Sequence, residues 1–171
     1  MATNERFTRF MNDEDLLQLA IKMLPSQQDK RVFVGIIGTG LLERFDRTGY
    51  MGDLEKAIVL VEQVVKSTPS DHPDHAMYLN NLRNALQSQF ERTGSMEDLN
   101  RAIETNEQAV KSTPSDYSDH AMYLDSFEIA LQSRFERTGS MEDLSHVIET
   151  NEQAVKTQIQ PKRSSQLCRG A

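Results

Sequence analysis

The sequence predicts an all-α fold: a stack of three helix pairs preceded by one N-terminal helix. Three observations carry that prediction. A block of 45 residues recurs, with RTGYMGDLEKAI starting at Arg47, RTGSMEDLNRAI at Arg92 and RTGSMEDLSHVI at Arg137; KSTPSD at Lys66 and Lys111, and DHAMYL at Asp74 and Asp119, keep the same interval. Within each block the apolar residues follow the 3-and-4 spacing of one helical face. Each helix-length stretch is then closed by Gly or Pro. Self-similarity at this period marks stacked units, none of which can bury its apolar face alone.

The first element is read from Asn12-Asp13-Glu14-Asp15 followed by LLQLAIKML and Pro25, which looks like the second helix of a unit whose first helix is missing. Six helices follow at about 29–47, 51–67, 74–92, 96–112, 119–137 and 141–157. The middle unit shows why. Ala76, Leu79, Leu82, Ala85, Leu86 and Phe90 form the buried stripe of its helix A. Gly94 supplies the left-handed residue that ends a helix without a Cβ penalty, and Ser95 with Asp98 three positions later resembles a capping box. Helix B carries Leu99, Ala102, Ile103, Asn106, Ala109 and Val110, and stops at Ser112-Thr113-Pro114, because proline lacks the N–H and biases Thr113 away from helical angles. Asp116 or Asp119 is expected to cap the next helix A. Short connections make neighbours antiparallel. The expected organisation is an extension over 1–11, one repeat domain over 12–157 with units at about 29–73, 74–118 and 119–157, and a disordered basic tail over 158–171.

Ala102, Ala109 and Pro114, spaced by seven and five, together with Leu79, Leu82 and Leu86 in helix A, resemble the tetratricopeptide repeat. The 45-residue unit, with F-E-R-T-G closing helix A and M-E-D-L opening helix B, is similar to the extended repeats of large fungal proteins that carry CHAT or NACHT domains. The resemblance covers Lys30 to about Lys156. It implies a tetratricopeptide-like α-α superhelix, a solenoid whose concave surface is lined by helix A and binds a protein or peptide partner. Carried over by register, the groove residues are Asn80, Asn84 and Gln87 in the second unit and Asp125, Ile129 and Gln132 in the third, with Gly35, Thr39 and Leu42 in the first. Amide side chains both donate and accept, which suits a peptide backbone. The sequence departs from the family where Arg83 and Glu128 stand for the helix A glycine that Gly38 keeps, where Val64 replaces the second alanine, and where Val147 replaces the first. A subfamily clamps a C-terminal carboxylate with Lys and Asn; Lys or Arg is missing from the matching groove positions, so that mode is disfavoured.

Composition narrows the function classes. At 171 residues, with 37% hydrophobic and 26% charged residues, the chain is too apolar for disorder and lean for a compact globule. A formal charge of −7 argues against nucleic acid, which needs clustered cations to displace counterions. Beyond Gln153 only cations occur, Lys156, Lys162, Arg163 and Arg169. A single cysteine, Cys168, and an N-terminus without an apolar signal core point to the cytoplasm. The longest apolar run, VFVGIIGTGLL, is too short for a membrane span.

Nothing in the sequence supports catalysis, a cofactor or a metal. VGIIGTG, Val34 to Gly40, resembles a dinucleotide-binding turn, but Glu43 holds the third glycine position and the βαβ context is missing, so a nucleotide-binding enzyme is a distant alternative. The same glycines inside a helix each cost roughly 1 kcal/mol relative to Ala. Asp71, His72, Asp74 and His75 could be imagined as metal ligands, yet the next loop does not repeat them and the aspartates suit capping. Cys168 has no structured base beside it, His146 being the nearest thought, and Cys168-Arg169-Gly170-Ala171 lacks the aliphatic residues of a prenylation box. Met51, Met96 and Met141 share one repeat position and read as packing. The principal alternative to peptide binding is self-assembly. The last helix B carries Leu144, Val147, Ile148 and Val155 with no cap helix after it, so a homodimer, or continuation in a longer parent protein, is expected to make contacts between about Leu144 and Ile159.

Overall fold

The computed structural model describes residues 13–115 and 117–159. Its helices are α1 (Glu14–Met23), α2 (Gln27–Thr48), α3 (Met51–Ser67), α4 (His75–Thr93), α5 (Met96–Ser112), α6 (Ser118–Thr138) and α7 (Met141–Ile159), and no strand occurs among the described residues. The helices pack as neighbouring pairs, α2 on α3, α4 on α5 and α6 on α7, which makes this an all-α helical-repeat fold. The chain divides into two compact units: one runs to Ser112 and holds α1 to α5, the other begins at Thr113 and holds α6 and α7.

Local sequence explains where the helices begin and end. Gly49, Gly94 and Gly139 adopt φ of 69°, 70° and 68°, and each N–H donates to the carbonyl of the Phe four residues earlier. Only glycine takes that left-handed turn without cost, so each A helix stops at the same point of its unit. At the end of α3, Thr68 is extended before Pro69 and its hydroxyl donates to the Val64 carbonyl. Helix α1 is capped by the Asp13 carboxylate, which accepts from Leu16 N–H at 2.9 Å, and α2 by Ser26.

Two capping expectations change. Ser95 Oγ accepts from Asp98 N–H at 3.3 Å, but the Ser95 N–H donates to Thr93 Oγ1, so the box is half formed. At the start of α4, Asp74 takes right-handed helical angles and makes no side-chain cap bond, because a capping carboxylate reaches the first-turn N–H groups only from an extended residue. Helix α6 starts behind Tyr117, with Asp119 already in its first turn, where the helix dipole favours an acid. Asp116 lies outside the described residues.

The first unit has two cores. Leu17 and Ile21 of α1 meet Val34, Ile37 and Leu41 of α2 and Ala57, Leu60 and Val64 of α3. On its other side α3 presents Leu54, Ile58 and Val61 to Leu82, Ala85 and Leu86 of α4, with Phe45 and Ala102 completing the cluster. Helix α3 is thus sandwiched between α2 and α4. Ion pairs link successive B helices, Lys56 to Glu14 at 2.9 Å and Arg101 to Glu62.

Candidate functional site

A helix that buries one stripe leaves the opposite one free for contact. On α4 the buried residues are Tyr78, Leu79, Leu82, Ala85, Leu86 and Phe90. The opposite stripe carries Met77, Asn80, Asn84 and Gln87, spaced by three and four residues so that they share a face. Asn84 is exposed, while Asn80 and Gln87 are half-buried. Gln87 Nε2 donates to Glu91 Oε1 at 3.0 Å, and its Oε1 is buried with no hydrogen-bond donor among the described residues.

The positions expected to line a groove are more apolar on α2 than on α6. On α2, Thr39 is exposed, Gly35 is half-buried against Tyr78, and Leu42 packs against both core clusters, so Leu42 serves the core. Val32 and Ile36, which sequence reasoning passed over, are 43% and 47% exposed. In the third repeat α6 shows Asp125, Ile129 and Gln132 exposed, with Ile129 at 59% exposure and Gln132 donating to Glu136 at 3.3 Å.

Two residues of α4 were missed as well. Met77 belongs to the repeated DHAMYL string, and the same repeat position is held by Val32 and Met122; the three are 43%, 45% and 46% exposed in chain order. The recurrence of an apolar residue off the buried stripe was the available signal. Arg83 is the other. It lies on the amide face of α4, half-buried, and its Nη2 donates to Asn80 Oδ1 at 3.4 Å, so a cation stands beside Asn80. Burial pulls its guanidinium below the ordinary arginine value.

The other sequence candidates fall as follows. VGIIGTG lies in the interior of α2 with Val34, Ile37 and Gly38 buried, so its N–H groups belong to the helix ladder and cannot cradle a phosphate. In the loop before α4, the His72 ring Nδ1 accepts from Asp74 N–H at 3.2 Å, and no group of three or more metal-ligating side chains gathers among the described residues. In the first turn of α6 His120 is buried, with Nδ1 2.9 Å from the Thr113 carbonyl oxygen. Cys168 and the basic tail lie outside the described residues, as does the side chain of Val155. Between α2 and α4 an open cleft of about 440 Å³ is floored by Phe45 and Gly49, with Arg92 over the Phe45 ring at 5.5 Å. No helix among the described residues is long and apolar enough to cross a membrane.

No family model and no curated protein matches the chain. Two solved structures resemble it. One is described as a DHF119 filament, with a TM-score of 0.45 and 15% identity, covering 90% of this chain and 76% of the other. The second is a de novo designed helical repeat protein, DHR64, with a TM-score of 0.44 and 14% identity, covering 90% and 93%.

Proposed function

We propose that this chain is a protein-interaction module that holds a peptide or protein segment against the exposed faces of its A helices, and that it carries out no catalysis. The carrying observation is the recurrent exposed apolar position, Val32, Met77 and Met122, beside the amides Asn80 and Asn84. A large apolar side chain kept at the surface in every unit is not required for folding, and such patches suit a partner. Methionine adapts to varied apolar surfaces, while amides pair with a peptide backbone in either sense. The favoured ligand is therefore an uncharged or mildly amphipathic segment with aliphatic side chains.

On this proposal the chain is a tetratricopeptide-type array of the extended kind that accompanies CHAT or NACHT domains in fungal proteins, working in the cytoplasm without nucleic acid, membrane, metal or cofactor. The test is affinity capture by the full chain, identification of the retained protein by mass spectrometry, and titration of that protein against Met77→Asp and Asn84→Ala variants. Affinity falling in both, with helicity by circular dichroism unchanged, supports the assignment. Unchanged affinity in both moves the binding surface elsewhere.

A further inference from the structure

One repeat position changes its environment along the chain. Ile58 and Ile103 are 6% and 5% exposed, whereas Ile148, at the same place in α7, is 55% exposed. Leu54 and Leu99 are fully buried, but Leu144 is only half-buried. In the first unit the cover over Leu54 and Ile58 is α4, through Leu82, Ala85 and Leu86. Val147 belongs to a different stripe, since it occupies the position of Ala57, which faces α1 and α2. The open face of α7 is therefore Leu144 with Ile148, without Val147.

A second observation, independent of the apolar stripe, concerns the end of helix A. At Gly49 the covering helix brings Arg92 close: its Nη2 lies 3.5 Å from the Gly49 carbonyl oxygen, 2.6 Å from where a Cβ would stand, and its guanidinium rests over Phe45. At Gly139 the backbone is the same, with φ of 68°, yet a Cβ would meet nothing within 4 Å, and Phe135 is half-exposed where Phe45 is buried. The C-terminal carbonyls of α6 and the Phe135 ring thus form an electronegative patch, which favours a cation.

We propose that Leu144, Ile148, Phe135 and Gly139 form a docking surface for one amphipathic helix supplied by a partner polypeptide. That helix has aliphatic or small residues at i, i+3 and i+4, as in Leu82, Ala85 and Leu86, and an arginine at i+10, as in Arg92. The apolar stripe covers Ile148, and the arginine stacks on Phe135 and donates to the Gly139 carbonyl. This surface is separate from the A-helix faces above and does not depend on their role.

The probe is a fluorescein-labelled peptide of residues 74–95 of this chain, titrated into the full-length protein with anisotropy as readout. Saturable binding is expected, weakened by at least about tenfold in the Ile148→Asp protein and, with wild-type protein, by Arg92→Ala in the peptide. The peptide change cannot act by unfolding the protein. Absence of saturable binding, or binding indifferent to both changes, overturns the proposal. A doubled sedimentation mass of the chain alone that reverts to monomer in Ile148→Asp also overturns it, by assigning the face to a second copy.

Discussion

Arg134 grips Asp143 with two hydrogen bonds, Nε at 2.9 Å and Nη2 at 2.5 Å, and the Asp143 side chain is 1% exposed. Arg44 holds Asp53 in the same way, at 2.6 and 2.5 Å. In both cases the turn before the last of helix A is tied to the first turn of helix B across the glycine stop, and the planar guanidinium fixes their relative angle. The middle unit departs from this. Gln89 stands where the arginine would be, and Asp98, 6% exposed, has Arg101 of its own helix at 3.7 Å.

Restoring the missing clamp should stabilise the middle unit. Gln89→Arg places a guanidinium where its repeat equivalents reach the aspartate, and a hydrogen bond to a charged group contributes about 1.5 to 3 kcal/mol. We expect a higher urea midpoint with unchanged m. The reverse change, Arg134→Gln, leaves the Asp143 carboxylate buried without its clamp and lowers stability by a similar amount. A midpoint for Gln89→Arg at or below the parent value refutes the equivalence.

The glycines of α2 divide by what surrounds them. A Cβ on Gly35 would stand 3.6 Å from the Tyr78 ring, an ordinary contact, whereas one on Gly38 would stand 2.9 Å from Val61 Cγ2. Gly35→Ala should therefore gain about 0.5 to 1 kcal/mol of helix propensity. Gly38→Ala gains the same propensity but must part α2 from α3 against a packed valine, and overpacking costs about 1 to 3 kcal/mol. Thermal melts of the two variants should move in opposite directions.

The helix order was legible because the glycine stops, the proline breaks and the 45-residue period all agree, and the helices start within two residues of their expected positions. Caps were less legible: whether Asp74 caps α4 depends on its backbone angles, which sequence alone does not give. Surface residues were harder still. Arg83 replaces a glycine of the repeat pattern and so reads as a departure, yet in space it joins Asn80. Asn106 reads as one polar interruption of an apolar stripe; it is fully buried, and neither amide atom has a hydrogen-bond partner among the described residues. Val147 and Ile148 are adjacent in sequence, and only the burial of Ala57 and Ile58 in different clusters separates their roles.

Docking of α1 should depend on pH. The Gln18 amide and then the Lys56 ammonium hold the Glu14 carboxyl below its ordinary value, against a smaller opposing effect of burial. A carboxyl depressed in the folded state contributes stability above its unfolded pKa and loses it as pH falls through the folded value. Glu14→Gln should thus lower stability near neutral pH by about 0.2 to 1 kcal/mol, the range for exposed pairs, and match the parent in acid. Urea melts across pH 3 to 7 check this, and about 1 M salt should shrink the neutral-pH difference. A difference that persists undiminished in acid would assign the effect to packing.

The same substitution at one repeat position should have two outcomes. Ile58 is packed in one apolar cluster with Leu82, Ala85 and Leu86, so Ile58→Asp buries a carboxylate among apolar side chains. An unpaired buried charge is among the few single changes that cost more than about 4 kcal/mol, and loss of cooperative folding is expected. Ile148 sits on the same stripe of its own B helix but is 55% exposed, so the aspartate carboxylate there stays hydrated. Ile148→Asp should shift stability by less than about 1 kcal/mol, the residual being the part of the side chain that α7 packs against its neighbours. Thermal denaturation followed at 222 nm separates the two. Comparable destabilisation would mean that Ile148 is covered in solution, and the contrast between the two positions would then reflect an occupant already in place.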